Sequence, residues 1–155
     1  MKNNGTFNED VPFGEEAEKA VLEVLKKKYP LAYKIEGNVK YYDLFVPEKN
    51  IYVEVKRDKG SNKSDNYFIE YNCNGYNSGI NASRADYWAI CDESKLIWIN
   101  KDTLKTISKR HGRKWENTPE GGHCPIKAYL VPKNCILEYA DMVTKLPLSS
   151  SATNM

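Results

Sequence analysis

The segment Ile51-Tyr-Val-Glu-Val-Lys56 leaves few ways to fold the chain around it. Apolar and polar residues alternate with period two, so in an extended strand Ile51, Val53 and Val55 face one way and Tyr52, Glu54 and Lys56 the other. One face calls for a core. The other sets a carboxylate and an ammonium side by side at the end of a strand. The preceding stretch, Tyr41-Tyr-Asp-Leu-Phe-Val46, is also extended in pattern, with Asp43 and Leu44 on opposite sides. Between the two runs, Pro47-Glu-Lys-Asn50 has the composition of a tight turn. Such a turn pairs the strands antiparallel and brings Asp43 towards Glu54.

The flanking sequence predicts the layers. Phe13, Ala17, Ala20, Val21, Val24 and Leu25 share one helical face, giving a helix over residues 13–28 with Pro12 at its entry and Pro30 at its exit. Residues 33–56 read as a three-stranded antiparallel meander that includes a Gly37-Asn38 turn and a strand over 39–46. Further strands are predicted over 67–71, 87–91, 95–99 and 126–131, a helix over 103–111 and a short closing helix over 136–145. Residues 58–66 and 112–125 read as irregular, and the Asn/Gly-rich segment 72–79 as a mobile functional loop. Helix, strands, then helix define an α/β fold with a sheet layered against helices. A chain of 155 residues has room for one domain, expected over residues 11–146, with residues 1–10 and 147–155 as flexible termini.

Composition narrows the function. Hydrophobic residues at 41% and charged residues at 28% suit a globular domain and exclude wholesale disorder. No apolar run approaches the roughly 20 residues that cross a bilayer, so no membrane partner is expected. The first ten residues lack the apolar stretch of a signal peptide, and Cys73, Cys91, Cys124 and Cys135 lie far apart in sequence. A reducing, cytoplasmic setting is the expectation. The net charge of +2 is small, but its distribution is uneven: Lys101, Lys105, Lys109, Arg110, Arg113 and Lys114 surround the single acid Asp102. Within that stretch Lys109-Arg-His-Gly-Arg-Lys-Trp115 joins positive charge, a glycine and an aromatic ring. Arg110, Arg113 and Lys114 are therefore candidate contacts to a DNA backbone, the plainer alternative being a solvated helix end and loop. His123-Cys124, Cys135 and His111 lack the spacing of a zinc site, and no phosphate-binding glycine loop, GxSxG elbow or HExxH helix is present.

Two carboxylates on adjacent strands, Asp43 and Glu54, suit a hard divalent ion such as Mg²⁺, which takes oxygen ligands and keeps several waters. Bound there, it would polarise a phosphodiester and activate a water. Lys56, two residues beyond Glu54, can act as a base, an orienter or a charge stabiliser. An E-x-K pair standing alone has a second reading, a solvated strand face with an ion pair. Glu70 has two readings as well, a further member of the acidic cluster or an exposed strand residue.

Asp43, ten intervening residues, then Glu54-Val55-Lys56 at the end of an apolar strand resembles the PD-(D/E)xK nuclease superfamily, which includes many restriction enzymes, resolvases and phage nucleases. Upstream, Gly14-Glu-Glu-Ala-Glu18 is similar to the opening of the first helix in archaeal Holliday-junction resolvases. Downstream, Tyr67-Phe-Ile-Glu70, Ser78-Gly79-Ile80 and Ser83-Arg-Ala-Asp-Tyr-Trp88 are similar to small phage-type members. The resemblance covers residues 13–99, with Tyr42 standing where the motif carries its proline. It implies a restriction-endonuclease-like core, a mixed central sheet flanked by helices. The implied activity is Mg²⁺-dependent hydrolysis of DNA leaving a 5′-phosphate, with Mn²⁺ able to substitute. Asp43, Glu54, the backbone of Val55 and Glu18 are the expected metal site, with Lys56 beside them. Glu18 is preferred to Glu15 and Glu16 because it borders the apolar face of the helix and matches the Gly14-to-Glu18 spacing, the plainer alternative for all three being charge compensation at the start of the helix. Ser83, Arg84 and Asp86 precede an apolar strand and have two readings, a polar turn or the edge of the site, where Ser83 and Arg84 would meet nucleic acid. A homodimer is expected if both strands of a duplex are cut. The alternatives are a non-catalytic nucleic-acid-binding module of the same fold, a structure-selective junction resolvase, and a metal-binding α/β protein with no nucleic-acid partner.

Overall fold

Two layers satisfy the alternation along residues 51–56, one on each side of a central sheet. The structure, a computed structural model, describes residues 2–37, 41–58, 64–117 and 125–145, and of residues 2–14 the backbone alone. In chain order the elements are α1 (Lys2–Lys28), β1 (Tyr33–Lys34), β2 (Leu44–Val46), β3 (Ile51–Arg57), β4 (Asn66–Cys73) and β5 (Tyr76–Asn77). A 3₁₀ turn (Gly79–Asn81) leads to β6 (Tyr87–Cys91), β7 (Lys95–Asn100), α2 (Lys101–His111), β8 (Arg113–Glu116), β9 (Ile126–Pro132), α3 (Lys133–Tyr139) and β10 (Met142–Lys145).

The first sheet has six strands in the order β1-β2-β3-β6-β7-β10. It is mixed: β3 and β6 run parallel, with Glu54 opposite Trp88, and the other pairs are antiparallel. The second sheet, β5-β4-β9-β8, is antiparallel throughout. The fold is thus α/β, as the order of elements predicts, with the mixed sheet that the resemblance implies and a second sheet that neither does.

Each face of the first sheet has its own core. Val53 and Val55 pack with Leu44, Val46, Ala89 and Trp98 under Ala17, Val21 and Leu25 of α1. On the other side Trp88, Ile90, Ile97 and Ile99 meet Tyr67, Ile69, Tyr129 and Val131 of the second sheet, with Leu104 and Ile107 of α2 and Ile136 of α3. Among the described residues no helix is long and apolar enough to cross a membrane.

The differences from the predicted elements have local causes. α1 starts at Lys2 rather than residue 13, and its earlier turns carry no apolar stripe by which a sequence announces a helix. Pro12 therefore lies inside the helix rather than at its entry. The strand expected over 39–46 is shortened to Leu44–Val46, and Asn38 and Val39 lie outside the described residues. The segment 72–79 is a hairpin instead of a loop: Asn74 (φ 56°) and Gly75 (φ 84°) turn the chain between β4 and β5. Two successive positive φ values match the twist of a two-residue hairpin. Gly79 (φ 50°) then lies so close to the Glu70 carbonyl that a Cβ there would collide with it. Residues 113–116, read as irregular, form β8 because β9 offers them a partner. The closing helix ends at Tyr139, and residues 142–145 pair with β7 as β10. Asp141 makes that switch, its N–H donating to the Trp98 carbonyl and its carboxylate accepting the Asn100 N–H. His123, Cys124 and the terminal residues 146–155 lie outside the described residues.

Candidate active site

Asp43 stands immediately before β2, where the register pairs Leu44 with Val53. Its N–H donates to the Val53 carbonyl at 2.8 Å, and its carboxylate Oδ2 accepts the Val55 N–H, also at 2.8 Å. The side chain is thereby fastened to the backbone of β3 at the residue between Glu54 and Lys56. Glu54 itself is buried, only 8% exposed. Its Oε2 lies 3.4 Å from Lys56 Nζ, whereas Oε1 has no hydrogen-bond partner among the described residues. The Lys56 ammonium also sits 5.5 Å from the centre of the Trp88 ring.

Burial raises the pKa of Glu54 to about 7, because a desolvated carboxylate resists ionisation. Lys56 opposes that rise, and the charges of Asp43 and Glu18 add to it. Asp43 is raised as well, again first by burial, with the Val55 hydrogen bond pulling the other way and the Glu18 charge pushing up. Glu18, half-buried on α1, ion-pairs with Lys34 at 3.1 Å and holds that ammonium above its usual range. Its field reaches both other acids, while Glu15 and Glu16 are exposed. Among the described residues no group of three or more His, Cys, Asp or Glu side chains is placed to hold a metal ion. The oxygen donors at this position are fewer: the carboxylates of Asp43 and Glu54, with the peptide of Val55 between them.

Beside Lys56 opens a cleft of about 320 Å³, lined by Arg57 and Asp58 from the end of β3, Phe68 and Glu70 from β4, and Trp88 from β6. Glu70 Oε2 accepts a hydrogen bond from Ser78 Oγ at 2.7 Å.

The proposed nucleic-acid residues fall in two places. Ser83 is buried, and its hydroxyl accepts from Trp88 Nε1 (3.0 Å) and the Ala85 N–H and donates to the Tyr41 carbonyl. It ties the approach to Asp43 to the ring beside Lys56. Arg84, exposed, lays its guanidinium 4.4 Å from the centre of the Tyr41 ring. Arg110, Arg113 and Lys114 are exposed at the end of α2 and on β8, the outer strand of the second sheet. Trp115 of β8 meets Phe68 edge-on at 5.1 Å, so this basic edge continues into the wall of the cleft.

Three features escape a reading of the sequence. Trp88 becomes the neighbour of Glu54 only through the parallel β3–β6 pairing, which no local pattern encodes. The buried Asp92 accepts from Tyr67 Oη (2.9 Å), the Ser94 and Lys95 N–H groups and the Lys95 ammonium. Burial pushes Asp92 up, yet those partners leave it below the usual carboxylate range and hold the β6–β7 turn against the second sheet. Asp86 accepts the Tyr52 N–H and donates its own to the Tyr52 carbonyl, closing the parallel pair at one end. An Asp-x-x-Lys after an apolar run is the one signal that could have flagged Asp92.

No family model, no curated protein and no solved structure matches this chain.

Proposed function

We propose that the protein is a divalent-metal-dependent phosphodiesterase acting on DNA, a nuclease of the PD-(D/E)xK type built on a restriction-endonuclease-like core. One observation carries the reading. A buried carboxylate, Glu54, leaves one oxygen without a partner among the described residues, while Asp43 is fastened beside it and Lys56 supplies the neighbouring positive charge. A buried polar atom left unpaired costs on the order of 1–3 kcal/mol, a cost that a ligand at that atom removes.

The donor set fits a hard cation: Asp43 and Glu54 with the Val55 carbonyl would hold Mg²⁺ or Mn²⁺, with Glu18 contributing charge from α1. When bound, such an ion supplies an acidified water and offsets charge on a phosphodiester. The chain's own residues do the rest. The Val55 N–H fixes the orientation of Asp43, burial by Trp88 and the strand excludes bulk water from Glu54, and Lys56 presents an ammonium at the cleft for a phosphate oxygen or the attacking water. Arg110, Arg113, Lys114 and Arg84 would meet the DNA backbone, and Ser83 supports the site through Trp88 and Tyr41.

The test is incubation of the purified chain with plasmid, linear, single-stranded and branched DNA in Mg²⁺, in Mn²⁺ and in EDTA. Metal-dependent cleavage that disappears in folded Asp43→Ala is the expected result. A folded wild-type protein that cuts none of these substrates in either metal would end the reading.

A further inference from the structure

We propose that a row of aromatic rings on the first sheet is a stacking platform for unpaired nucleotides, so that the site works on DNA with a single-stranded or frayed segment; the identity of the polymer rests on the nuclease reading. Tyr33 of β1 lies opposite Phe45 of β2, with ring centres 5.9 Å apart, and Phe45 lies opposite Tyr52 of β3 at 4.6 Å. Tyr52 in turn stacks on Tyr42 at 4.1 Å with 24° between the planes. The row runs without a break from the edge strand of the sheet to β3, on the face that Tyr52 shares with Glu54 and Lys56.

Packing does not account for it. Tyr42 and Tyr52 touch the margin of the second core, but Phe45 and Tyr33 belong to neither core, and Tyr33 is 50% exposed. Tyr42, Phe45 and Tyr52 are half-buried, and a contiguous aromatic surface that reaches solvent in this way marks a place where something binds. The neighbouring charges say what. Arg84, exposed beside Tyr41, and Lys56, further along β3 on the face it shares with Tyr52, place cations where a phosphate backbone would pass. The acids beside the row face the strands: Asp86 accepts the Tyr52 N–H, Asp43 accepts the Val55 N–H, and Glu54 meets Lys56 through one oxygen. Flat rings with flanking guanidinium and ammonium groups are what single-stranded nucleic acid uses, whereas paired bases inside a duplex offer no free faces.

The experiment is fluorescence anisotropy of the full chain in EDTA, with a short labelled single strand and a blunt duplex of the same sequence. Wild type should bind the single strand more tightly than the duplex. Tyr33→Ala and Phe45→Ala should each weaken single-strand binding about tenfold with an unchanged melting temperature, while Phe45→Trp retains it. Ring variants that bind the single strand as wild type does would overturn the platform. So would a soluble glucan that binds through the same rings when the single strand does not, which would make the row a sugar platform. If the rings govern binding but neither Mg²⁺ nor Mn²⁺ supports cleavage, the platform stands and the nuclease reading falls. If cleavage occurs and the ring variants bind and cut normally, the nuclease reading stands and the platform falls.

Discussion

The two faces of β3 differ as much as any two regions of this molecule, although they alternate residue by residue. Towards α1, Val53 and Val55 join a core of aliphatic and small side chains with one indole at its edge. Towards the second sheet, the same strand carries Tyr52, Glu54 and Lys56, and there a buried acid remains half unpartnered. The first face is what a strand does for stability. The second departs from it, and such departures concentrate where a protein binds or reacts.

Exchanging the two faces by mutation gives the largest expected effect. Glu54→Ala or Asp43→Ala should reduce metal-dependent cleavage by about 10² or more with the domain still folded. Val53→Ala should do the opposite, lowering the unfolding free energy by about 2 kcal/mol in denaturant titrations while the folded fraction cuts normally. Equal loss of activity in both would erase the distinction between the faces.

Stability against pH sharpens it next. Glu54 has a folded pKa of about 7 against an ordinary 4.5. The folded state therefore holds its proton more tightly. That contribution is complete below about pH 4.5, declines as pH rises through 7 and is lost above it. Glu54→Gln, which cannot ionise, should be more stable than wild type at pH 8 by about 3 kcal/mol and no different at pH 4. Chemical denaturation at the two pH values measures this, and identical curves at pH 8 would return Glu54 to an ordinary solvated acid. Mg²⁺ or Mn²⁺ at pH 8 should raise the melting temperature of wild type and leave that of Glu54→Gln in place.

Smaller effects separate the helix acids. Glu18→Ala should slow cleavage a few-fold under saturating Mg²⁺, on the order of one charge interaction at the site, whereas Glu15→Ala and Glu16→Ala should match wild type. The reverse ranking would remove Glu18 from the site and leave Asp43, Glu54 and Lys56 unaffected. Least of all at the chemistry itself, neutralising Arg110, Arg113 and Lys114 together should leave turnover on saturating DNA unchanged. It should flatten the dependence of binding on salt, by up to about one unit of slope per lost phosphate contact. An unchanged slope would make that edge a solvated surface.

What the sequence revealed follows the same division. β3 was readable from its alternation, and β6 and β7 because continuous apolar runs bounded by polar turns need no partner to declare themselves. The β2–β3 turn was readable too, since Asn50 takes the positive φ that its residue type favours. Of the second sheet, β4 and β9 were readable as strands, but their pairing and the strands β5 and β8 were not. Arg113-Lys-Trp-Glu116 has no apolar period, and its strand character comes from β9. Met142-Val-Thr-Lys145 continues the apolar spacing of α3, so only the hydrogen bonds of Asp141 mark the change from helix to strand. At the site, Glu54 and Lys56 were legible from alternation. Trp88 beside them was not, and neither were the burial of Glu54 and the occupied hydroxyl of Ser83, which depend on strands distant in sequence.

The parallel pairing of β3 with β6 also sets an order of events. Residues 58–86 must leave the first sheet, lay down β4 and β5, and return before Glu54 can lie opposite Trp88. Closing so long an excursion costs chain entropy before any contact repays it. The β2–β3 and β6–β7 hairpins close locally and sooner. In refolding, Asp43 will be fastened to Val55 while Lys56 still lacks its indole neighbour, and the site will be completed only when the two hairpins join.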